Sequence, residues 1–558
     1  MQEYVYYNPK GLDFPIDESI LVTTSLQDSE TFLFSNTDKI KSEVVLKEID
    51  FYISNTKDNF SSKIQNIKKL YDIASIKFDY AQDVSYTQEV GNKLLLIGDV
   101  ASCNSIKHYI LADEFDLYQI SEDMLENITG HIGNLEVSVN SKDIIVKLQV
   151  DQIIYFDAKE VATKQSGTLD PNILGQKECL EIVRKNISEY EYKKFTTYDK
   201  NICQYHERRG DICGKCVEVC PTVAIVKDET NKHLVFSQID CHGCGGCISV
   251  CPSGALDYTS TNRDALYEIS LMYKNHIPLI IPAKMDIQNI KLDLKEGVLP
   301  FMIDGEKFLH ESSFLTLLQL SGSQVIFYTD FISKGSGDSI RILNDIYQKR
   351  YGKDAIIVAK DLDELKRALE EVSVIDDSYF NINQAGMKKR EIFATRLENI
   401  VKSDDLGVVL TGEHIHYAHV RVDEAKCTLC LSCVGACNVN ALWADSKTNE
   451  LKLNPSVCTA CGYCELSCPE KECLSIEKDV IKLNPSWFKS EVLAKDKLFA
   501  CVECGKEFAT VKAIEKVASK MIPIFADPIK ERTLYCCEQC KPKVMMKDYV
   551  NQMKAGNI

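Results

Sequence analysis

Apolar residues in the first part of the chain fall into short runs separated by polar stretches. Runs of strand length occupy positions 93–99, 135–139, 143–150 and 152–158. The polar stretches between them contain helical patterns. This arrangement predicts an α/β domain over residues 1–200, in which no motif marks a functional site.

A second region alternates more regularly between apolar strands and helices. Apolar runs at 277–283, 298–304, 324–330 and 355–360 are separated by stretches with helical periodicity. Because such alternation favours parallel strands with helices on the faces of the sheet, we predict a parallel sheet here. The polar stretch that follows predicts a linker and a helix. We assign residues 263–405 to this α/β domain.

The distribution of cysteine divides the rest of the chain. Of the 24 cysteines, only Cys103 and Cys179 lie in the first 200 residues, and the others crowd into positions 203–251, 427–473 and 501–540. In a reducing cytosol, so many thiols point to metal binding rather than to disulfides. We therefore expect a multidomain protein of the α+β and α/β classes with three cysteine-rich modules. Their predicted bounds are 201–262, 406–486 and 487–558.

Charge and hydropathy argue against two classes of partner. Lys and Arg number 65 and Asp and Glu number 82, so the net charge is −17, which repels nucleic acid. The apolar stretches are shorter than the roughly 18 residues that a membrane span needs. The N-terminal residues lack the pattern of a signal peptide. We expect a cytoplasmic protein without a membrane span and without a nucleic-acid partner.

The second cysteine-rich zone contains two runs with x2, x2, x3 spacing. In such paired runs, three cysteines of one loop hold a 4Fe-4S cluster and the fourth ligates the neighbouring cluster. The predicted ligand sets are Cys427, Cys430, Cys433 and Cys468 for one cluster, and Cys458, Cys461, Cys464 and Cys437 for the other. Structural zinc, the alternative, would need only two CxxC pairs. Asn438 departs from the pattern, because proline usually follows the fourth cysteine.

The first cysteine-rich zone has the same pattern with one defect. The predicted ligand sets are Cys203, Cys213, Cys216 and Cys251 for one cluster, and Cys241, Cys244, Cys247 and Cys220 for the other. The first position of the first run is Gly210, and Cys203 is the nearest thiol upstream. We favour Cys203 because thiolate is the standard soft ligand. His206 and an incomplete 3Fe cluster remain alternatives.

An internal repeat supports the assignment of both modules. Ala224, Ala255 and Ala441 each lie four residues after a fourth cysteine and are followed by Ile or Leu. In the last run, Cys473 occupies the matching position one residue later. We expect these small residues to pack against the clusters, with Cys473 buried in the place of alanine.

The third zone contains two CxxC pairs. Cys501, Cys504, Cys537 and Cys540 form a donor set that suits one tetrahedral zinc ion. The long stretch between the pairs and the helical pattern after Cys540 favour a module like a zinc knuckle. A fifth iron–sulfur cluster is the alternative, and Cys536 is a rival of Cys537.

The sequence lacks the motifs of sites that would couple single-electron transfer to hydride transfer or to another reaction. No GxGxxG follows a strand, and neither a P-loop nor an HExxH or GxSxG motif occurs. The functional groups that can be recognised, the predicted 4Fe-4S sites, are therefore those of one-electron transfer. This pattern favours a non-catalytic electron carrier or an oxidoreductase subunit.

The two cysteine modules, residues 203–258 and 427–476, resemble those of bacterial polyferredoxins, proteins with 4Fe-4S dicluster ferredoxin domains. The segments 304–330 and 338–358 resemble weakly the delta subunit that links hydrogenase to heterodisulfide reductase, but they contain no cysteine. The resemblance implies electron transfer with a redox protein or an oxidoreductase complex, such as a formate dehydrogenase or a hydrogenase.

The leading hypothesis is an electron carrier with four 4Fe-4S clusters and one zinc ion. One alternative is an accessory or assembly factor for a metalloenzyme, which would grip its client through the α/β domains. Another is the electron-transfer subunit of an enzyme with an unrecognised flavin or substrate site. An iron–sulfur protein that binds nucleic acid is opposed by the charge.

Overall fold

The computed structural model describes residues 3–26, 31–81, 84–141, 144–525 and 527–554. The chain forms two compact units. The first consists of Met1–Lys200 and Tyr205–Met387, and the second of Asn201–Gln204 and Lys388–Ile558. Within the described residues, no helix is long and apolar enough to cross a membrane.

The first unit begins with a sheet and two helices. Its elements are β1 (Tyr4–Tyr7), β2 (Ile20–Thr23), β3 (Phe32–Ser35), β4 (Ser42–Val45), α1 (Lys47–Asn55) and α2 (Phe60–Tyr80). The strands are parallel and have the order β2-β1-β3-β4. Helix α2 starts at the cap residue Asn59, whose side chain accepts a hydrogen bond from the Ser62 N–H. Tyr71 fixes the helix to the sheet, because its hydroxyl donates to the carbonyl of Val5 at 2.8 Å.

The remainder of residues 1–200 combines a parallel sheet with antiparallel strands. Its elements are β5 (Ser85–Val90), β6 (Lys93–Ile97), α3 (Val100–Lys107), β7 (Asp116–Ile120), β8 (Leu125–His131), β9 (Asn134–Ser141), β10 (Ile144–Val150), β11 (Gln152–Tyr155), α4 (Glu160–Thr163), β12 (Thr168–Leu169), α5 (Pro171–Leu174), α6 (Gln176–Lys185), β13 (Ser188–Lys193) and β14 (Thr196–Tyr198). The order β12-β11-β6-β7 is parallel, whereas β10-β9-β8 and β13-β5 are antiparallel. The four apolar runs correspond to β6, β9, β10 and β11, although residue 143 lies outside the described residues.

The first cysteine-rich module follows directly from β14. Its elements are α7 (Lys215–Val219), β15 (Ile225–Asp228), β16 (His233–Phe236), α8 (Gly246–Val250) and β17 (Leu256–Tyr258). Strands β15 and β16 form a hairpin, and β14 pairs antiparallel with β17. The last strand before the module therefore closes against its last strand.

The middle region forms the predicted parallel sheet. Its elements are α9 (Arg263–Met272), β18 (Ile277–Pro282), β19 (Val298–Ile303), α10 (Glu311–Ser321), β20 (Val325–Tyr328), α11 (Lys334–Tyr351), β21 (Ile356–Ala359) and α12 (Leu362–Glu371). The order is β19-β18-β20-β21, and each pair is parallel. Every residue of β18, β19 and β20 is buried, as expected for a sheet covered on both faces.

The second unit contains the other two cysteine-rich modules. Its elements are α13 (Lys389–Val401), β22 (Val408–Leu410), β23 (Ala418–Val422), α14 (Ser432–Ala436), β24 (Leu442–Asp445), β25 (Glu450–Leu453), α15 (Tyr463–Leu466), β26 (Leu474–Lys478), β27 (Val480–Lys482), β28 (Glu491–Lys495), β29 (Leu498–Ala500), β30 (Glu507–Thr510), α16 (Val511–Met521), α17 (Pro528–Leu534) and α18 (Lys541–Lys554). Strand β28 pairs with β25, so the sheet of the second module extends past residue 487, the predicted start of the C-terminal module.

Candidate metal centres

The cysteine loops with complete spacing share an unusual backbone. Two positions of each loop have positive φ, namely Gly243 and Gly245 (68° and 79°), Leu429 and Leu431 (51° and 61°), and Ala460 and Gly462 (57° and 81°). Left-handed φ is unfavourable for Leu and Ala, so the structure around the loop must hold these residues in place. Burial raises the pKa of Cys427 and Cys458, and the N–H groups of Leu429 and Ala460 act against this rise by donating to the sulfurs. The loops thus aim backbone N–H groups at cysteine sulfur, which suits thiolate ligands of a metal cluster.

One cavity of the second module brings together cysteines from both halves of the repeat. Cys427, Cys430, Cys433 and Cys468 line this cavity. Burial, followed by the charges of the neighbouring thiols, raises the pKa of Cys433 to about 12. These closely spaced thiols could not all ionise without a cationic partner. The iron of an iron–sulfur cluster supplies that positive charge, so the donor set fits such a cluster.

The second set of this module lies beside the first. The pKa of Cys464 is raised by burial and then by the charges of four other thiols. Three of them, Cys458, Cys461 and Cys437, belong to its own predicted set, and the fourth, Cys433, belongs to the neighbouring set. Cys437 follows α14, and Cys458 and Cys461 belong to the loop before α15. The structure thus brings Cys437 beside the thiols of the Cys458 loop, and its role as a ligand of their cluster stays a prediction.

The first module contains a corresponding cavity. Its lining includes the predicted set Cys220, Cys241, Cys244 and Cys247, together with Ala224. Burial first, then the charge of Cys216 and those of the other thiols, holds the pKa of Cys247 well above its usual range. Cys216, which belongs to the other predicted set, is thus the neighbour of this cavity.

Cys203, which is predicted to complete the first cluster, lies in the segment Asn201–Gln204 of the second unit. The Asn438 side chain donates to the Cys203 carbonyl at 3.0 Å and accepts from the Gln204 amide at 2.8 Å. The residue that replaces the usual proline therefore anchors Cys203, and the role of Cys203 as a ligand stays a prediction.

His206, the rival of Cys203, has a histidine partner. Its Nδ1 lies 2.9 Å from Nδ1 of His233, the first residue of β16. Burial lowers the pKa of His206, so the imidazole is neutral at pH 7. One of the two nitrogens must then donate the shared proton.

The middle domain packs on the cluster loop of the first module. The N–H of Lys307 donates to the Cys244 carbonyl at 2.8 Å. A Cβ atom at Gly245 would lie 2.9 Å from Cα and 3.0 Å from N of Phe308. A Cβ atom at Gly335, in α11, would lie 2.5 Å from Oγ of Ser249, in α8. Glycine at these two positions allows the domain and the loop to approach closely.

Two cations beside the second module were not recognised in the sequence. Arg390, in α13, is buried, lies 3.7 Å from the ring centroid of Tyr417 and donates to the His416 carbonyl at 2.9 Å. Its charge opposes the rise that burial causes in the pKa of Cys458. Lys516, in α16, forms an ion pair with Glu470, two residues after Cys468. Arg390 and Lys516 lie outside the cysteine motifs, so no sequence pattern indicated that they lie near the cysteines.

The C-terminal cysteines form a compact donor set. The sulfurs of Cys501, Cys504, Cys537 and Cys540 all lie within 4.8 Å of one another. Although burial raises the pKa of Cys501, the N–H groups of Cys537, Glu503 and Cys504 lower it more, to about 6. Cys536 does not belong to this set of four, and its sulfur donates to the Arg532 carbonyl at 3.4 Å.

The distance between two of these sulfurs can be compared with that expected around a bound metal. A metal–sulfur distance of about 2.3 Å in a tetrahedral site implies sulfurs about 3.8 Å apart. The sulfurs of Cys504 and Cys537 are 3.8 Å apart. A cubane cluster binds each cysteine through a separate iron and spreads the sulfurs more widely. The set therefore suits a single tetrahedral ion.

The C-terminal module also touches a cluster loop of its own unit. The hydroxyl of Thr510 donates to the Thr428 carbonyl at 2.9 Å, and Nζ of Lys512 donates to the Glu424 carbonyl at 2.6 Å. Thr428 follows Cys427, the first cysteine of that loop. The module thus covers part of the loop in addition to holding its own cysteines together.

Comparison with known proteins assigns the two central modules. Residues 211–255 match one family model described as a 4Fe-4S dicluster domain, and residues 419–469 match another of the same description. Archaeal-type glutamate synthases [NADPH] of Thermotoga sp. strain RQ2 and Thermotoga maritima are 32% identical to the chain over 66 residues. This stretch is 12% of the chain and 13% of each relative, so the chain spans about an eighth of their length. The chain therefore carries two 4Fe-4S dicluster ferredoxin domains, which equip it for iron–sulfur electron transfer.

Proposed function

We propose that the chain holds four 4Fe-4S clusters in two pairs and relays single electrons between a redox enzyme and its partner. Clusters of this kind take up and release one electron at a time. The residues of the chain fix the ligand sulfurs, aim N–H groups at them and exclude water. The C-terminal cysteines hold one zinc ion, which stabilises the fold and does not conduct electrons.

The observation that carries this proposal is the exchange of fourth cysteines within the second module. Cys468 lines a cavity with Cys427, Cys430 and Cys433, although it follows a different loop. This exchange makes the two sites neighbours, and neighbouring sites allow an electron to pass from one to the other. The motif matches over residues 211–255 extend the same reasoning to the first module.

The exposure of one loop supports a place for electron exchange with the partner. Cys430 is exposed, and the side chain of Leu431 is 41% exposed. In the first module, by contrast, Phe308 covers the loop that contains Cys244. We expect the partner, a redox protein or an oxidoreductase complex such as a formate dehydrogenase or a hydrogenase, to approach at Cys430.

A matched pair of substitutions tests the proposal. The purified protein, prepared without oxygen, should contain about 16 irons, four for each cubane. Cys468→Ser should remove the cluster of the Cys427 loop, whereas Cys437→Ser should remove the cluster of the Cys458 loop. Each variant would be examined by iron and sulfide analysis and by electron paramagnetic resonance.

The two variants also define the contrary result. If Cys468→Ser instead removed the cluster of the Cys458 loop and Cys437→Ser that of the Cys427 loop, the exchange of ligands would be refuted. A wild-type protein with eight irons after full reconstitution would refute the count of four. One zinc and no reducible signal at Cys501 would support the zinc assignment, whereas a single iron there would replace it.

A further inference from the structure

Cys473 is a fifth thiol on the cavity of the second module. It is 3% exposed and lines the same cavity as Cys427 and Cys468. Its sulfur donates to the carbonyl of Asp423 at 3.7 Å. The mechanism described above does not use this thiol, because four other cysteines supply the ligands.

The repeat shows that the position of Cys473 is equivalent to an alanine at the other three sites. In each repeat the small residue immediately precedes a strand: Ala224 precedes β15, Ala255 precedes β17, Ala441 precedes β24 and Cys473 precedes β26. All four small residues are buried. The extra residue in the last repeat is absorbed before Cys473, where Glu472 has a φ of 53°. The thiol therefore occupies the place of a methyl group.

We propose that the Cys473 S–H donates a hydrogen bond to the sulfurs of the group held by Cys427, Cys430, Cys433 and Cys468, and thereby raises its reduction potential. This inference rests on the proposed cluster at these residues. Cys473 lines the same cavity as Cys427 and Cys468 and is in hydrogen-bonding contact with both side chains.

The S–H group of Cys473 can donate either to the ligand sulfurs or to the Asp423 carbonyl, and the sulfurs are the better acceptors. A hydrogen bond to a charged acceptor is shorter and stronger than one to a neutral carbonyl. The Asp423 carbonyl, to which Cys473 now donates, is neutral, whereas Cys427 and Cys468 are anionic when they bind iron. Reduction adds negative charge to the sulfurs, so the bond strengthens in the reduced state and favours it.

The hydrogen bond from Cys473 would make the site of Cys427, Cys430, Cys433 and Cys468 the most easily reduced of the four proposed sites. Ala224 contributes a methyl group to its cavity, where Cys473 contributes a donor. The site with the donor is also the one whose Cys430 is exposed. Electrons entering the second module would therefore collect beside the accessible loop.

Three variants of the full-length, anaerobic holoprotein test the inference by redox titration. Cys473→Ala, which copies the other repeats, should keep all iron and sulfide while one reduction wave moves to a more negative potential. Cys473→Ser keeps a donor, and its wave should stay at or above the wild-type potential. Ala224→Cys adds the same donor beside Cys220, and one wave of the first module should move to a more positive potential.

The outcomes separate this inference from the proposed function. Full iron in Cys473→Ala without any shifted wave would overturn the inference and leave the four clusters in place. Loss of iron in Cys473→Ala would also overturn it, because Cys473 would then be a ligand. Iron analysis of the wild type that found no cluster at the Cys427 loop would overturn both.

Discussion

A glycine in a cluster loop gives a matched test of how the middle domain supports the first ferredoxin module. Gly245 and Gly462 occupy the same position in their loops, directly after the second cysteine, and have nearly equal φ values of 79° and 81°. A Cβ atom at Gly245 would meet the backbone of Phe308, whereas one at Gly462 would have nothing within 4 Å. Of these two variants, only Gly245→Ala adds a side-chain atom that would meet Phe308.

The expected cost of each substitution has two parts. Left-handed φ costs an alanine roughly 1–2 kcal/mol, and both variants carry this cost. The added methyl group at Gly245 would also lie 2.9 Å from Cα of Phe308, and overpacking of this kind costs about 1–3 kcal/mol. We expect Gly462→Ala to lower the free energy of unfolding by about 1–2 kcal/mol and Gly245→Ala to lower it by about 2–5 kcal/mol. Leu431, which has a φ of 61° at the same position of another loop, shows that a side chain can occupy this conformation.

Urea unfolding under anaerobic conditions measures these differences. Circular dichroism would follow the backbone, and visible absorbance would follow the loss of the clusters. Gly245→Ala is compared with the wild type in the unfolding transition of the first unit, and Gly462→Ala in that of the second unit. Equal losses of stability in the two variants would refute the reasoning, because the contact of Phe308 with the loop would then contribute nothing.

Other substitutions test separate parts of the chain. Cys203→Ser should remove a cube from the first module or convert it to a 3Fe form, since oxygen is a poorer ligand than thiolate; unchanged spectra would favour His206 or water. Cys504→Ser should remove zinc and leave the iron content unchanged, and a loss of iron would contradict the zinc assignment. Lys516→Gln should loosen the C-terminal module by about 1 kcal/mol or less, because Lys516 is partly exposed, and proteolysis would detect the change. Deletion of residues 497–558 should preserve the clusters because it spares β28, and their loss would show that the module is needed to hold them.

Much of the local structure could be predicted from the sequence. The x2, x2, x3 spacing determines the cysteine loops, because the ligands of one cube must lie on a tight turn. The continuous apolar runs of the middle region predicted strands buried on both faces, and β18, β19 and β20 have that property. The cysteine spacing and the apolar runs both depend on residues that are close together in the sequence, so they can be recognised without a structure.

Contacts between distant segments were decided only by the tertiary structure. The sequence placed Cys473 by repeat, but only the structure brought it to the cavity of Cys427 and Cys468. Phe308 lies far from Gly245 in the sequence, and neither residue carries a pattern that names the other. The pairing of β28 with β25 likewise moved the edge of the second module beyond residue 487. Local spacing fixes which atoms can bind a metal, whereas packing of remote side chains, which no periodicity records, decides what surrounds it.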